Sequence, residues 1–293
     1  MKDRQASATA LFIAAALVLM AEDPACANLV SAASAELSKR VLATYSPASR
    51  GLLKLLRRSW VYRIAALVER LTIPGILRHY ALRKKCIARL ADEALRGGIS
   101  QVIILGAGFD ALAMELHREF ADARFWEIDH PATQRCKKSV LGSGEVQGIH
   151  FIATNLASRG LAEESLRSAD FDPGKRTLWI VEGLLMYFSE RAVSRLLEQI
   201  REMSSPASRM IFTFMERDGE GRIRFQKQTR LVDWWLRRRG EPFRWGIERA
   251  RLAEFIFPWR VLHIYDEHDL LRLDSADEKK TPAAGELICL AEV

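Results

Sequence analysis

A short apolar run that stops on glycine constrains this chain more than any other feature. Residues 102–105 (Val-Ile-Ile-Leu) end at Gly106-Ala107-Gly108-Phe109-Asp110, and a helical pattern over residues 111–120 follows. An apolar run this short, rich in β-branched residues, reads as a strand buried on both faces, the habit of parallel sheets covered by helices. Glycines where such a strand turns into a helix supply backbone angles that other residues resist, and they let a ligand approach the main chain. The spacing is Gly-x-Gly without a third glycine, so it is not the complete dinucleotide fingerprint.

The same texture continues downstream. Residues 124–128, 150–153, 177–181 and 209–215 are further strand candidates separated by helical segments. Ser189 stands where an N-cap belongs, ahead of Leu196, Leu197 and Ile200 on one helix face. Residues 259–265 and 286–293 read as a closing hairpin with one antiparallel member. Residues 1–98 contain helical spacing and no convincing strand. The expected fold is α/β: a Rossmann-like sheet with helices on both faces over residues 99–293, one compact unit, and a helical N-terminal cap over residues 1–98.

An acidic residue about 20 positions after the glycine turn, at the end of the next strand, is placed to hydrogen-bond ribose hydroxyls. Glu127 and Asp129 both qualify, and Asp129 sits at the carboxyl end, where ligands of open α/β sheets bind. Asp129 could instead cap the helix that begins near Pro131, or serve both purposes. Glu182 occupies the same kind of strand end, with bracing of the sheet edge as the plainer alternative.

Charge and cysteine content narrow the classes. The 293 residues carry a net charge of +7, which favours anionic partners without choosing among nucleic acid, an acidic lipid surface or an acidic small molecule. The four cysteines (Cys26, Cys86, Cys136, Cys289) are scattered, without a CxxC pair or matching histidine spacing, so neither a disulfide framework nor a metal site is expected. A reducing cytoplasm is the expected setting. The six histidines are dispersed, and His130 reads as a packing or turn residue. Residues 222–251 interleave arginines with Phe225, Trp234, Trp235, Phe243 and Trp245, a pattern that suits nucleic acid. The plainer reading puts Leu231, Trp234 and Trp235 on one buried helix face, with Arg237–Arg239 solvated at its end.

Three segments together resemble the leucine carboxyl methyltransferase-like enzymes, including bacterial members that act on polyketide-type small molecules. They are Gln101-Val-Ile-Ile-Leu-Gly-Ala-Gly-Phe-Asp110, Phe125-Trp-Glu-Ile-Asp-His-Pro131 and Leu178-Trp-Ile-Val-Glu-Gly-Leu-Leu-Met-Tyr187. Gly240-Glu-Pro-Phe-Arg-Trp-Gly246 is a weaker match. The resemblance implies S-adenosylmethionine as cofactor and O-methylation of a carboxylate or phenolic hydroxyl on a small molecule or natural product. It implies that Arg83 pairs with the cofactor carboxylate and that Gly106 and Gly108 lie beneath the methionine part. Asp129 would hold the ribose, Asn155 and Leu156 would flank adenine, Glu182 would face the methionine side, and Tyr187 would contact substrate. No general base stands out. Departures are plain: Ala111-Leu112 follows Asp110 where Thr-Arg is usual, Asn155 replaces an aspartate, and Lys84 follows Arg83 in place of threonine.

Two other readings remain open on sequence: a nucleic-acid-binding or RNA-methylating protein working through residues 222–251, and a sheet of this type without catalysis. A nicotinamide-dependent reductase also uses a Gly-x-Gly turn, but the third glycine and a Tyr-x-x-x-Lys pair are missing.

The N-terminus imitates a secretory signal: Lys2 and Arg4, an apolar run over residues 10–21, then Ala25-Cys26-Ala27. The run is too short to span a bilayer, and Asp23-Pro24 offers a helix stop. Thr9-Ala10-Leu11 also resembles the family's opening helix. Residues 1–27 are therefore expected to be retained and structural. Mass spectrometry of the native protein should find them; a chain starting near Asn28 would mean export.

Overall fold

The computed structural model describes residues 7–23, 26–56, 58–145, 147–273 and 281–293. Lys2, Arg4, Pro24 and Ala25 of the signal-like pattern lie outside them. The described residues ahead of the first strand form α1 (Ala8–Glu22), α2 (Ala32–Tyr45), α3 (Pro47–Leu56), α4 (Ser59–Thr72) and α5 (Ile76–Arg96). Helix α1 is apolar on nearly every side, and the Ser7 hydroxyl caps it by accepting from Ala10 N at 3.1 Å. A helix apolar all round is a buried helix. Ala14 and residues 16–20 are indeed buried, which accounts for the resemblance of this stretch to an export signal.

Strands and helices then alternate: β1 (Gln101–Leu105), α6 (Leu112–Glu119), β2 (Arg124–Asp129), α7 (Pro131–Val140), β3 (Ile149–Ala153), α8 (Leu156–Arg159), α9 (Glu163–Ser168) and β4 (Thr177–Val181). The chain continues through α10 (Glu190–Glu202), β5 (Arg209–Met215), α11 (Arg230–Arg239), α12 (Leu252–Phe255), β6 (Arg260–Tyr265), α13 (Glu267–Leu271) and β7 (Glu286–Glu292). The seven strands make one sheet in the order β3-β2-β1-β4-β5-β7-β6. The first five are parallel; β7 inserts antiparallel between β5 and β6. The expected α/β sheet, its closing hairpin and its helical N-terminal region are thus present. Ser189 caps α10, accepting from Ala192 N at 3.3 Å.

Side chains alternate across each strand, and both faces are covered. Val102 and Ile104 pack with Leu82, Ile87 and Leu90 of α5, while Ile103 and Leu105 pack on the face that carries Val193, Leu196 and Ile200 of α10. The order of strands reverses between β1 and β4, which opens a crevice at their carboxyl ends.

Helix α11 departs from the expected burial of Leu231, Trp234 and Trp235. Leu236 is its buried apolar residue and Val232 is half-buried, so the helix packs through a different edge. Trp235 is half-buried against Phe12, whereas Leu231 and Trp234 face outward and Arg238 lies over the Trp234 ring.

Among charged groups, Lys137 of α7 is buried and reaches Glu127 on β2 at 2.6 Å, donating also to the Asp110 carbonyl. Burial pushes the Glu127 carboxyl up, against the pull of Lys137. The pair ties α7 to β2 and to the end of the glycine turn. Lys137→Met should lower stability by about 3–5 kcal/mol, since removing one partner strands a buried charge. Lys137→Met with Glu127→Gln should recover much of that loss in urea denaturation.

Candidate active site

The sequence places two glycines where β1 turns toward α6, and the structure shows why both are needed. Gly106 has φ 69° and Gly108 φ 55°, and a Cβ on Gly106 would meet Leu184 Cδ1 at 2.9 Å. Gly106 N extends the sheet by donating to the Ile128 carbonyl at 2.7 Å. Gly108 N donates to Asp129 Oδ2 at 2.6 Å, so the end of β2 pins the turn. Burial pushes the Asp129 carboxyl up, against the amide donors of His130 and Gly108. His130, not Asp129, caps α7, its Nδ1 accepting from Ala132 N at 3.3 Å. Glu127, the other acidic candidate, is committed to Lys137 and does not line the crevice.

A cavity of about 300 Å³ occupies the switch point, the lower end of the range for small-molecule sites. Arg83, Gly106, Gly108, Asp129, Asn155, Leu156, Glu182 and Tyr187 all line it. Its cover is α1, through Ala10, Ile13, Ala14 and Leu17. Buried Glu241 holds the start of that helix: its carboxylate accepts from Ala8 N at 3.2 Å, Thr9 N at 3.0 Å and the Thr9 hydroxyl. Thr133 Oγ1 is buried in the lining without a hydrogen-bond partner among the described residues.

One wall is charged: Arg83, Lys84, Asp110 and Glu182 line it, and Glu286 and His79 back it without lining the cavity. Arg83 is 3% exposed; its Nε donates to Glu182 Oε1 at 2.9 Å and its Nη1 to Glu286 Oε2 at 2.7 Å. His79 Nε2 lies 2.9 Å from the same Glu286. Lys84 Nζ sits 2.8 Å from Asp110 Oδ2 and 3.3 Å from Glu182 Oε1. Setting His79 aside, two cations (Arg83, Lys84) face three carboxylates (Glu182, Glu286, Asp110), which leaves one negative charge. Burial is the largest single effect on Glu286 and opposes its ionisation, but Arg83, His79 and Thr213 together outweigh it, and the carboxyl is held down to about 2. Burial likewise opposes Asp110, and Lys84 holds it below the usual carboxylate range. Burial pushes the Tyr187 hydroxyl well above its ordinary value, so it stays protonated at neutral pH.

His79 and Glu286 were not legible as site residues. Glu286 left one trace, a carboxylate at the head of the apolar run over residues 287–291. Lys84 and Asp110 registered only as departures or flanks of motifs. Among the described residues, no cluster of His, Cys, Asp or Glu is arranged to hold a metal ion.

Strand order and crevice together define a Rossmann-like α/β protein with a cavity at its switch point. Comparison with known proteins narrows this. The leucine carboxyl methyltransferase family matches residues 4–201, and the chain belongs to that family. A protein of Mycobacterium avium, assigned as an S-adenosyl-L-methionine-dependent methyltransferase, is 31% identical over 188 residues, 62% of this chain and 61% of the relative. A similarly assigned protein of Mycolicibacterium paratuberculosis is 36% identical over 133 residues, 44% of this chain. The matched stretches span 61% and 41% of those relatives' own lengths. In fold, the chain is similar to a protein of Thermobifida fusca assigned as a methyltransferase, with TM-score 0.60 at 16% identity, covering 87% of this chain and 93% of that one. A DUF574 family protein from Streptomyces avermitilis is similar as well, with TM-score 0.58 at 16% identity, covering 87% of this chain and 96% of that one.

The charge wall generates a prediction in acid. Glu286 is lowered from 4.5 to about 2, so its stabilising effect is complete above pH 4.5 and fades as pH falls toward 2. Glu286→Gln should be less stable at neutral pH and should lose less stability across that window, read from urea midpoints at stepped pH.

Proposed function

We propose that the protein is an S-adenosylmethionine-dependent O-methyltransferase whose acceptor is a carboxylate or acidic phenol on a small molecule. The observation that carries this reading is the gathering of Gly106, Gly108, Asp129, Asn155, Leu156 and Glu182 on one cavity at the switch point. The residues present fit this cofactor. Gly106 and Gly108 hold positive φ angles that side chains resist, and Thr133 offers a buried hydroxyl without a hydrogen-bond partner among the described residues. When bound, the cofactor supplies a methyl group on a cationic sulfonium.

The protein's task is then placement, since in-line displacement gains most from holding the partners in near-attack geometry. In this reading Gly106 and Gly108 let the backbone approach the methionine part, Asp129 takes the ribose hydroxyls, and Asn155 and Leu156 flank adenine. Glu182 receives the amino group. Arg83, with Glu182 and Glu286 on its guanidinium, acts as a positioning residue for Glu182. The carboxylate partner becomes Lys84, whose side chain is 17% exposed against 3% for Arg83.

The lining offers little to deprotonate an acceptor. His130 Nδ1 accepts from Ala132 N, Glu241 is held by α1, and cations hold Glu182 and Asp110. An acceptor that is already anionic needs no base. Exposed Arg244 at the rim could pair with that charge, and protonated Tyr187 could donate to it. Closure by α1 would exclude water from the transfer. The cofactor implies a cytoplasmic setting.

Titration calorimetry with S-adenosylmethionine and S-adenosylhomocysteine tests the reading, and absence of heat with both would overturn it. Asp129→Ala should weaken binding by about 1–3 kcal/mol, the cost of removing one partner of a buried hydrogen bond. Lys84→Met should weaken it comparably and Lys84→Arg much less.

A further inference from the structure

Helix α4 wears its large apolar side chains on the outside. Trp60 is 52% exposed, Ile64 50%, Leu67 55%, Val68 52% and Leu71 63%. Their spacing of i, i+4, i+7, i+8 and i+11 makes one continuous stripe along the helix. The inward side is the poorer one: Val61 is buried, Tyr62 and Ala65 are half-buried, and half-buried Glu69 accepts from Leu77 N at 3.0 Å. Contiguous exposed apolar surface of this kind marks an interaction site.

The stripe does not end with the helix. Thr229 N donates to the Thr72 carbonyl at 3.1 Å, which joins the end of α4 to the start of α11. There Leu231 and Trp234 are 62% and 54% exposed. Charge accompanies the apolar surface: Lys54, Arg58, Arg63 and Arg70 are exposed on or beside α3 and α4, and Glu69 is the one acidic residue in positions 47–72.

We propose that α4, continued by the start of α11, is an interfacial helix that docks the protein on an anionic lipid bilayer. Apolar side chains at this spacing sink to the boundary between headgroups and acyl chains, tryptophan suits that depth, and flanking arginines reach the headgroup phosphates. A second copy of the chain is the poorer occupant, because two such faces would bring like charges together. A nucleic acid backbone would meet the arginines and leave five large apolar side chains in water. The helix is 14 residues long, and no helix among the described residues is long and apolar enough to cross a membrane, so the contact lies in the plane of the surface. Val61 and Ala65 of α4 share one apolar cluster with Leu11, Ala15, Val18 and Leu19 of α1, the cover of the cavity, and with Leu42 of α2 and Leu56 of α3. Docking therefore sets the bilayer against the helical layer that covers the candidate site. The inference is independent of the cofactor assignment.

Co-sedimentation of the full chain with phosphatidylcholine vesicles, with and without about one quarter phosphatidylglycerol, tests it at low and high salt. The protein should pellet with the anionic vesicles, stay in solution with the neutral ones, and release as salt rises. Trp60→Ala/Leu67→Ala/Leu71→Ala keeps the charge and should reduce vesicle binding about tenfold or more, because it removes the buried apolar area. Arg63→Glu/Arg70→Glu should abolish the preference for anionic lipid. All five side chains are exposed, so the melting temperature and S-adenosylhomocysteine titration of each variant should match those of the parent. Failure of the parent to pellet overturns the proposal, as does undiminished binding by the triple-alanine variant. Concentration-dependent dimers lost in that variant would overturn it in favour of a second copy. Random oligonucleotides that bind more tightly than anionic vesicles would overturn it in favour of nucleic acid.

Discussion

The candidate site depends on one buried guanidinium. Arg83 comes from α5, and its hydrogens hold Glu182 at the end of β4 and Glu286 at the start of β7. Lys84, its neighbour in sequence, carries the chain on to Asp110 beside the glycine turn. Removing charges from water costs several kcal/mol per ion, and mutual attraction offsets that only where geometry and hydrogen bonding are good. Such a wall contributes little net stability beyond what an apolar wall would give. Its effect is to fix the direction of each carboxylate facing the cavity.

Most of the sheet was legible in the sequence because parallel strands buried on both faces read as apolar runs, and each run here is bounded by a turn. All seven strands appear within about two residues of their expected ends. The glycine turn, Asp129, Asn155 and Glu182 were legible for a second reason: each follows directly from its strand, so position along the chain gives position in space. Glu286, His79 and Lys137 obey no such rule. They reach the site or its support through packing between elements far apart in sequence. Helix α11 was misjudged for a related reason. A face of Leu231, Trp234 and Trp235 has the right period for burial, but period says nothing about whether a partner surface exists.

Two adjacent residues divide the work at the end of β2. An aspartate in that place is able to cap the following helix, and doing so would turn its oxygens away from the crevice. Here the His130 ring takes the cap, with Pro131 at the first helical turn. Asp129 keeps both oxygens on amides at the mouth of the cavity, Gly108 on one and His130 on the other. The Lys137 ammonium does similar service one residue pair earlier: it binds Glu127 inward, which leaves Asp129 as the β2 carboxylate that lines the cavity.

The insertion of β7 between β5 and β6 has a consequence for the order of events during synthesis. Glu286 meets Arg83 across 203 positions, and β7 leaves the ribosome after every other described element. Until it arrives, the guanidinium has one carboxylate instead of two, β5 has an open edge, and β6 has no strand to pair with in this sheet. Contacts this distant form late because a long loop must close first. From the synthesis of β5 until β7 emerges, the nascent chain therefore carries an unfinished site and an unpaired strand edge, the state in which aggregation and chaperone capture compete with folding.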